Sequence, residues 1–167
     1  MRRAAFILIL LASPADAAPA PETSWGKAGV SFDQYRQDAV ECGRQGYYLD
    51  VSQTDAAKTL VSASKQLDTV TQGSFASMDP LEYANTQQRI VQSARPQKQF
   101  HDVKQLLQST VDQCLADRGY SKFRLTDDQR HGMKKLKLGS PERHDYLYRL
   151  ATNPAVLAAQ AVTATAQ

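Results

Sequence analysis

Apolar residues recur at the three- and four-residue spacing of a helix along two stretches of the chain, and each stretch contains one of its two cysteines. The first begins at Ser31, which with Gln34 forms the pattern of a capping box, and Cys42 lies on its apolar stripe. The second extends over residues 97–118, with Cys114 on its apolar stripe. This spacing predicts two amphipathic helices that each bury a cysteine.

Further helices are predicted between and after these two. Helical spacing from residue 54 to 70 predicts one, and Asp79 before a proline predicts the start of another, which Pro96 should end. Residues 47–51 fit either a strand or continued helix, so the pattern leaves open whether the helical runs before Gly73 are continuous. In the C-terminal third, capping residues predict three short helices, which start at Thr126, Ser140 and Asn153.

These elements predict an all-α fold, an irregular helical bundle built on the two longer helices with several short C-terminal helices. Residues 31–160 are expected to form a single helical domain, because a chain of this length supports one modest core. Residues 18–30 contain prolines and glycines and are predicted to be a flexible lead-in outside the fold. Residues 161–167 are predicted to be a disordered tail.

The N-terminus has the three-part pattern of a secretory signal peptide. Two arginines precede an apolar run over residues 4–12, and Ala15 and Ala17 form a small-residue cleavage signal. Residues 1–17 are therefore predicted to be a signal peptide that is cleaved after Ala17. The apolar run is shorter than the roughly 20 residues that cross a bilayer, so the mature protein is expected to be periplasmic or secreted.

An oxidising compartment favours a disulfide between Cys42 and Cys114, the leading interpretation of the two buried stripes. The alternatives are two reduced core thiols and a redox-active pair, although the latter lacks the Cys-x-x-Cys spacing. Small residues at Ala39, Gly43 and Gly46 would let a partner helix approach the first helix closely.

The formal net charge of +3 is small but unevenly distributed. Residues 118–149 contain nine Lys or Arg and four Asp or Glu, whereas residues 18–117 contain nine and twelve. Nothing in this balance requires a nucleic-acid partner. A solvated basic face is the favoured interpretation, and contact with anionic envelope components is the alternative. Membrane contact is therefore expected to be peripheral at most.

Motifs that carry chemistry are not found in the sequence. His101, His131 and His144 lack the spacing of metal ligands, and the sequence has no nucleophile elbow, phosphate-binding glycine loop or His-Glu-x-x-His motif. We therefore predict no metal, no cofactor and no enzymatic activity.

Seven tyrosines form a mild surplus. Tyrosine suits partner surfaces because it combines apolar area with a polar tip. Most of the seven are expected to be half-buried packing residues. The candidate partner surface comprises Tyr47, Tyr48, Tyr146 and Tyr148.

A scattered set of residues accompanies the two cysteines. Its members are Trp25, Lys27, Gly29, Phe32, Asp38, Glu41, Cys42, Cys114, Leu115, Gly119 and Tyr120. In these residues the chain resembles an uncharacterised family of small exported, often lipoprotein-like proteins of Gram-negative bacteria with two widely spaced cysteines. The resemblance implies bacterial export and the disulfide, and it assigns no catalytic residue.

Together these features predict a non-catalytic exported protein of the cell envelope. The expected role is a structural or protein-interaction module that binds another envelope protein. The alternative is a helical bundle that binds a small molecule or lipid, which would need an apolar cavity of a few hundred cubic ångströms.

Overall fold

A computed structural model describes residues 22–74 and 78–162, which contain seven helices and two short strands. The strands, β1 (Thr23–Gly26) and β2 (Ser121–Arg124), pair antiparallel. The helices are α1 (Phe32–Tyr47), α2 (Asp55–Ser74), α3 (Pro80–Ala94), α4 (Pro96–Asp117), α5 (Asp127–Lys134), α6 (Pro141–Ala151) and α7 (Pro154–Ala159). The predicted all-α class, an irregular helical bundle, is confirmed, with the two-stranded sheet as an addition.

The helix starts predicted from capping residues are confirmed. Ser31, Asp79, Thr126, Ser140 and Asn153 are N-caps whose side chains accept hydrogen bonds from backbone N–H groups of the first turn. These bonds satisfy donors that have no partner inside the helix. The sequence left the connection between the first two helical runs open, and the structure resolves it: α1 ends at its cap, and a loop precedes α2.

α1 and α4 are antiparallel and are joined by the disulfide between Cys42 and Cys114, with Cα atoms 5.5 Å apart. One turn further along α1, Gly46 packs on α4. A Cβ at this position would lie 2.6 Å from Val111 Cγ2 and 3.1 Å from the Leu107 carbonyl oxygen. The predicted close approach of a partner helix is therefore confirmed at Gly46.

The end of α4 turns the chain into β2. Gly119 has a φ of 81°, and its N–H donates to the Ala116 carbonyl at 2.8 Å. The next N–H, of Tyr120, donates to the Leu115 carbonyl at 3.0 Å. This pair of bonds with glycine in the left-handed region is a Schellman motif, and it leads directly into the strand.

β1 corrects the prediction of a flexible lead-in over residues 18–30 where the structure describes it, since residues 23–26 form a strand. Residues 18–21 lie outside the described residues. Thr23–Gly26 pairs with β2, and Gly26 lies against α6, where a Cβ would be 2.4 Å from the Ala151 carbonyl oxygen. The N–H of Lys27 donates to that carbonyl at 2.8 Å. A four-residue strand has too little pattern of its own to be read from sequence, since its partner lies far along the chain.

The C-terminal helices fold back toward α1 over a small apolar core. Phe123, Met133 and Ala151 are fully buried, and Leu125 is nearly so. Phe123 lies in β2 and Leu125 directly follows it, so the sheet connects this core to a second cluster around the disulfide. The second cluster consists of the two cysteines with Leu115 and Tyr120.

α2 and α3 pack against each other and against α4, and few of their residues are buried. Their buried apolar residues are alanines, Ala56 and Ala94. Several larger apolar side chains along these helices are exposed, among them Val61 and Leu81, and others are half-buried. The well-packed part of the described structure is therefore the end that contains the disulfide and the sheet.

Both ends of the chain lie partly outside the described residues. Residues 1–17, the predicted signal peptide, lie outside the described residues. The prediction of a disordered tail over 161–167 is wrong for its first two residues. Ala161 forms a bridge with β2, and the N–H of Val162 donates to a carbonyl of that strand at 2.9 Å. Residues 163–167 lie outside the described residues.

Candidate functional site

Asp38 is a buried carboxylate at the junction of α1 and α4, with an exposed fraction of 5%. One oxygen accepts hydrogen bonds from Arg118 Nη1 at 2.5 Å and Gln34 Nε2 at 3.0 Å. The other accepts one from the hydroxyl of Tyr120 at 2.9 Å. A charge removed from water needs such partners, so this network makes the burial of the carboxylate tolerable.

The network fixes the protonation of its members. Burial alone would raise the pKa of Asp38, but hydrogen bonds from Gln34, Arg118 and Tyr120, with the charge of Arg118, hold that pKa below its ordinary value. Burial and the hydrogen bond to Asp38 raise the pKa of Tyr120 above its ordinary value. The carboxylate is therefore charged and the phenol neutral at neutral pH.

A second polar cluster ties the sheet to α4. Asp112 accepts hydrogen bonds from the indole Nε1 of Trp25 at 3.1 Å, from Lys122 Nζ at 2.7 Å and from Gln108 Nε2 at 2.8 Å. The ammonium of Lys122 also lies 5.1 Å from the centre of the Trp25 ring. Burial acts to raise the pKa of Asp112, but these donors lower it overall.

Tyr47 and Tyr48, at the C-terminal end of α1, form an exposed aromatic pair. Their exposed fractions are 80% and 72%, and their rings meet edge to face with centroids 5.0 Å apart. Val40, two turns earlier on the same face of α1, is also more than half exposed. We call Val40, Tyr47 and Tyr48 the α1 patch.

The other two predicted partner-surface residues are packed differently. Tyr146 is half-buried, and its hydroxyl donates to the Gln129 carbonyl at 3.1 Å. Tyr148 is half-buried beside the Phe32 ring, and its hydroxyl donates to the Val30 carbonyl at 3.0 Å. Both side chains are therefore engaged in packing within the chain. Sequence spacing alone could not separate them from the exposed pair.

A groove between α1 and α6 was not foreseen from the sequence. It has a volume of about 310 Å³ and is lined by Tyr35, Arg36, Ala39, Val40, His144 and Leu147. Arg36 lies within hydrogen-bond distance of His144 Nδ1. A guanidinium can only donate, so this ring nitrogen accepts. The groove borders the α1 patch because Val40 belongs to both.

The described residues contain no group of three or more His, Cys, Asp or Glu side chains that could hold a metal ion. None of the described helices combines the length and apolar character needed to cross a membrane. In comparisons with known proteins, no family model, curated protein or solved structure matches the chain. The resemblance to exported two-cysteine proteins therefore stays a prediction.

Proposed function

We propose that the protein is a non-catalytic, exported component of the bacterial cell envelope that binds another envelope protein through the α1 patch. The observation that carries this proposal is the exposed pair Tyr47 and Tyr48 on a rigid support. Gly46, the residue before Tyr47, is packed on α4. Cys42, which forms the disulfide with Cys114, lies little more than one helical turn before Tyr47. The pair is thus held in place before any partner binds.

Such a support favours binding. Tyrosines contribute large contact area with few rotatable bonds, and they are enriched among the residues that dominate binding energy. Ordering a flexible surface opposes association, whereas a surface that is already ordered avoids that loss. An aromatic pair on a disulfide-linked helix meets both conditions.

The buried polar groups favour a structural role over a catalytic one. The Asp38 carboxylate is occupied by donors from Gln34, Arg118 and Tyr120, and the Asp112 carboxylate is occupied in the same way. A catalytic acid or base needs to reach a substrate. Carboxylates already saturated with internal donors serve better to hold helices together.

Export is supported by two independent features of the chain. Residues 1–17 have the pattern of a signal peptide, and the disulfide between Cys42 and Cys114 fits an oxidising compartment. Fractionation of cells that produce the tagged protein tests this part directly. We expect a periplasmic or secreted chain that begins at Ala18 and has no alkylatable thiol before reduction. A full-length cytosolic chain would contradict the proposal.

Partner binding is tested with a photo-crosslinking residue, p-benzoylphenylalanine, placed at Tyr47. The matched control is the same residue at Leu81, an exposed apolar position on α3 with an exposed fraction of 70%. We expect a discrete adduct with one envelope protein from Tyr47 and none from Leu81. The same protein should co-purify with the wild-type chain and be lost with the double variant Tyr47→Ser, Tyr48→Ser.

Two outcomes of that experiment would overturn partner binding at the α1 patch. The first is the absence of any adduct from Tyr47 in envelopes where the protein is abundant. The second is the same adduct at equal yield when the crosslinking residue is placed at Leu81, because non-specific association would then explain both adducts.

The groove between α1 and α6 favours a second candidate function, the binding of a small molecule or lipid. Its volume lies at the lower end of the range for ligand sites. Native mass spectrometry of the protein purified from envelopes should then reveal a bound small molecule. Ala39→Trp, which fills the groove, should remove it, and Ala84→Trp on an exposed face of α3 should not.

A further inference from the structure

The turn between α5 and α6 concentrates exposed positive charge. Lys134, Lys135 and Lys137 are all exposed, and none of them forms an ion pair among the described residues. The sequence from residue 129 to 141 has no acidic residue. In the described structure the three ammonium groups therefore present their charge to solvent without a paired carboxylate.

A large apolar side chain projects from the same turn. Leu138 has an exposed fraction of 79%, while Met133, five residues earlier, is fully buried. Leucine exposed to this degree gains no stability from packing within the chain. We call Lys134, Lys135, Lys137 and Leu138 the basic turn.

The backbone holds Leu138 outward in a defined conformation. The N–H of Ser140 donates to the Lys137 carbonyl at 3.1 Å, and Gly139 has a φ of 78°. Glycine in the left-handed region at the third position is the requirement of a type II turn, which places Leu138 at its outer corner. The leucine is thus part of an ordered turn.

The base of this turn is anchored to α6. Arg143 Nη1 donates to the Met133 carbonyl at 2.6 Å and to the Leu136 carbonyl at 3.4 Å. The Met133 carbonyl belongs to the last turn of α5 and the Leu136 carbonyl to the turn that follows, so the guanidinium binds the C-terminal end of that helix. The guanidinium therefore keeps the base of the turn attached to the folded domain.

We propose that the basic turn docks the protein peripherally on an anionic lipid bilayer. Leu138 would enter the boundary between headgroups and acyl chains, and the lysine ammonium groups would lie among the lipid phosphates. Long lysine side chains reach the headgroup layer while an adjacent apolar residue inserts. A turn with its leucine largely presented to solvent suits a flat, deformable surface better than a protein pocket. Lysines act as point charges without the directional fork of arginine.

The basic turn shares no residue with the α1 patch, so the protein would have a second contact beside the one in the proposed function. A protein that binds its partner through α1 and a bilayer through the basic turn would be held at the membrane surface where the partner lies. Contact through three lysines and one leucine is weak and reversible, since each basic residue near an anionic surface contributes only modestly.

Vesicle co-sedimentation of the purified, disulfide-containing protein tests the proposal. The vesicles contain phosphatidylglycerol with phosphatidylethanolamine, and phosphatidylcholine vesicles serve as the neutral control. The triple variant K134Q/K135Q/K137Q should lower the partition constant on the anionic vesicles by about 100-fold at low salt. The matched variant K58Q/K65Q/K104Q changes three exposed lysines elsewhere and should retain most of the binding.

The apolar part has its own pair of variants. Leu138→Ala should weaken binding by about tenfold, because part of the transfer free energy of the leucine side chain is lost. Leu81→Ala, at a similarly exposed position on α3, should leave the partition constant unchanged. Raising the salt concentration should weaken the binding of the wild type and of Leu138→Ala in parallel, since the lysines remain in both. Circular dichroism confirms that each variant is folded.

Three results would overturn the proposal. Equal binding to phosphatidylcholine vesicles would show that anionic lipid is not recognised. An equal fall of the partition constant in the two triple variants would assign binding to the net charge of the protein. Binding to heparin without binding to vesicles would assign the basic turn to an acidic glycan. Because the assay contains no protein partner, these results leave the crosslinking test at Tyr47 independent.

Discussion

Arg118 donates a hydrogen bond of 2.5 Å to Asp38, and this pair lies one helical turn from the disulfide on both helices. Asp38 precedes Cys42 by four residues, and Arg118 follows Cys114 by four. In antiparallel helices such positions face each other. The covalent and ionic links therefore form successive layers of one interface.

Asp38→Asn tests how much this layer contributes to stability. The substitution removes the negative charge of the carboxylate, whose oxygens accept hydrogen bonds from Arg118 and Tyr120. It also replaces one of these oxygens by an amide NH2 group, which is a donor. We expect the free energy of unfolding to fall by about 2 kcal/mol. Glu41→Gln, an exposed neutralisation on the same helix, should change it by less than about 0.5 kcal/mol. Urea unfolding followed by circular dichroism measures both, and equal effects would contradict the prediction.

The same carboxylate predicts how stability depends on pH. The folded pKa of Asp38 is lowered, and an unfolded aspartate has a pKa of about 3.9. Its contribution is complete above the unfolded value and is lost as pH falls through the folded value. The free energy of unfolding should therefore decrease below about pH 4, and less steeply in Asp38→Asn.

Asp112, whose pKa is also lowered, should keep some acid sensitivity in both proteins. Urea titrations from about pH 6 down to about pH 2.5 compare the slopes, which scale with proton uptake on unfolding. Parallel curves for the wild type and Asp38→Asn would contradict the assignment of a lowered pKa.

The disulfide should be the largest single contributor to stability. It closes a loop with a sequence separation of 72 residues, for which chain entropy predicts roughly 4 kcal/mol. Replacing Cys42 and Cys114 together by serine should lower the free energy of unfolding by about that amount. Reduction of the wild type with dithiothreitol should reproduce the shift. A double variant as stable as the oxidised wild type would contradict this prediction.

Much of the helical fold could be predicted from the sequence because its helix starts are local signals. Ser31, Asp79 and Thr126 each place an oxygen where first-turn N–H groups need an acceptor, and this requirement does not depend on distant residues. The cysteine pairing was also predictable, because the sequence has two cysteines and each lies on a predicted apolar helix stripe. The two-stranded sheet was not, because Trp25 and its neighbours are held by residues far along the chain, in β2, α4 and α6.

The candidate surface was predictable only in part. The four tyrosines have the same chemistry, and their burial depends on which helix faces the sheet and the C-terminal core. Tyr47 and Tyr48 lie at the C-terminal end of α1, where both are exposed. Tyr146 and Tyr148 lie on α6, which packs against both α1 and α5. Tertiary packing decides which face of a short helix is covered. The short α6 sequence has too weak an apolar periodicity to indicate that face.

Two glycines of α1 offer a matched comparison. Gly43 has no atom within 4 Å of a Cβ built on it, whereas a Cβ at Gly46 would lie 2.6 Å from Val111 Cγ2. Gly43→Ala should raise the free energy of unfolding by about 1 kcal/mol, because alanine is the better helix former. Gly46→Ala should lower it by about 1 to 2 kcal/mol, since α1 and α4 must move apart. Effects of the same sign would contradict the close packing at Gly46.

The link between Trp25 and Asp112 distinguishes a folded strand from a flexible lead-in. Trp25→Phe removes the indole donor, and we expect a loss of about 1 kcal/mol in the free energy of unfolding. If the hydrogen bond causes the loss, Asp112→Asn should cost less in the Trp25→Phe background than alone. Unfolding is followed by circular dichroism. Trp25 is the only tryptophan of the sequence, so its replacement removes the tryptophan fluorescence signal. Additive effects, or an unchanged stability for Trp25→Phe, would mean that β1 does not contribute to the fold through this contact.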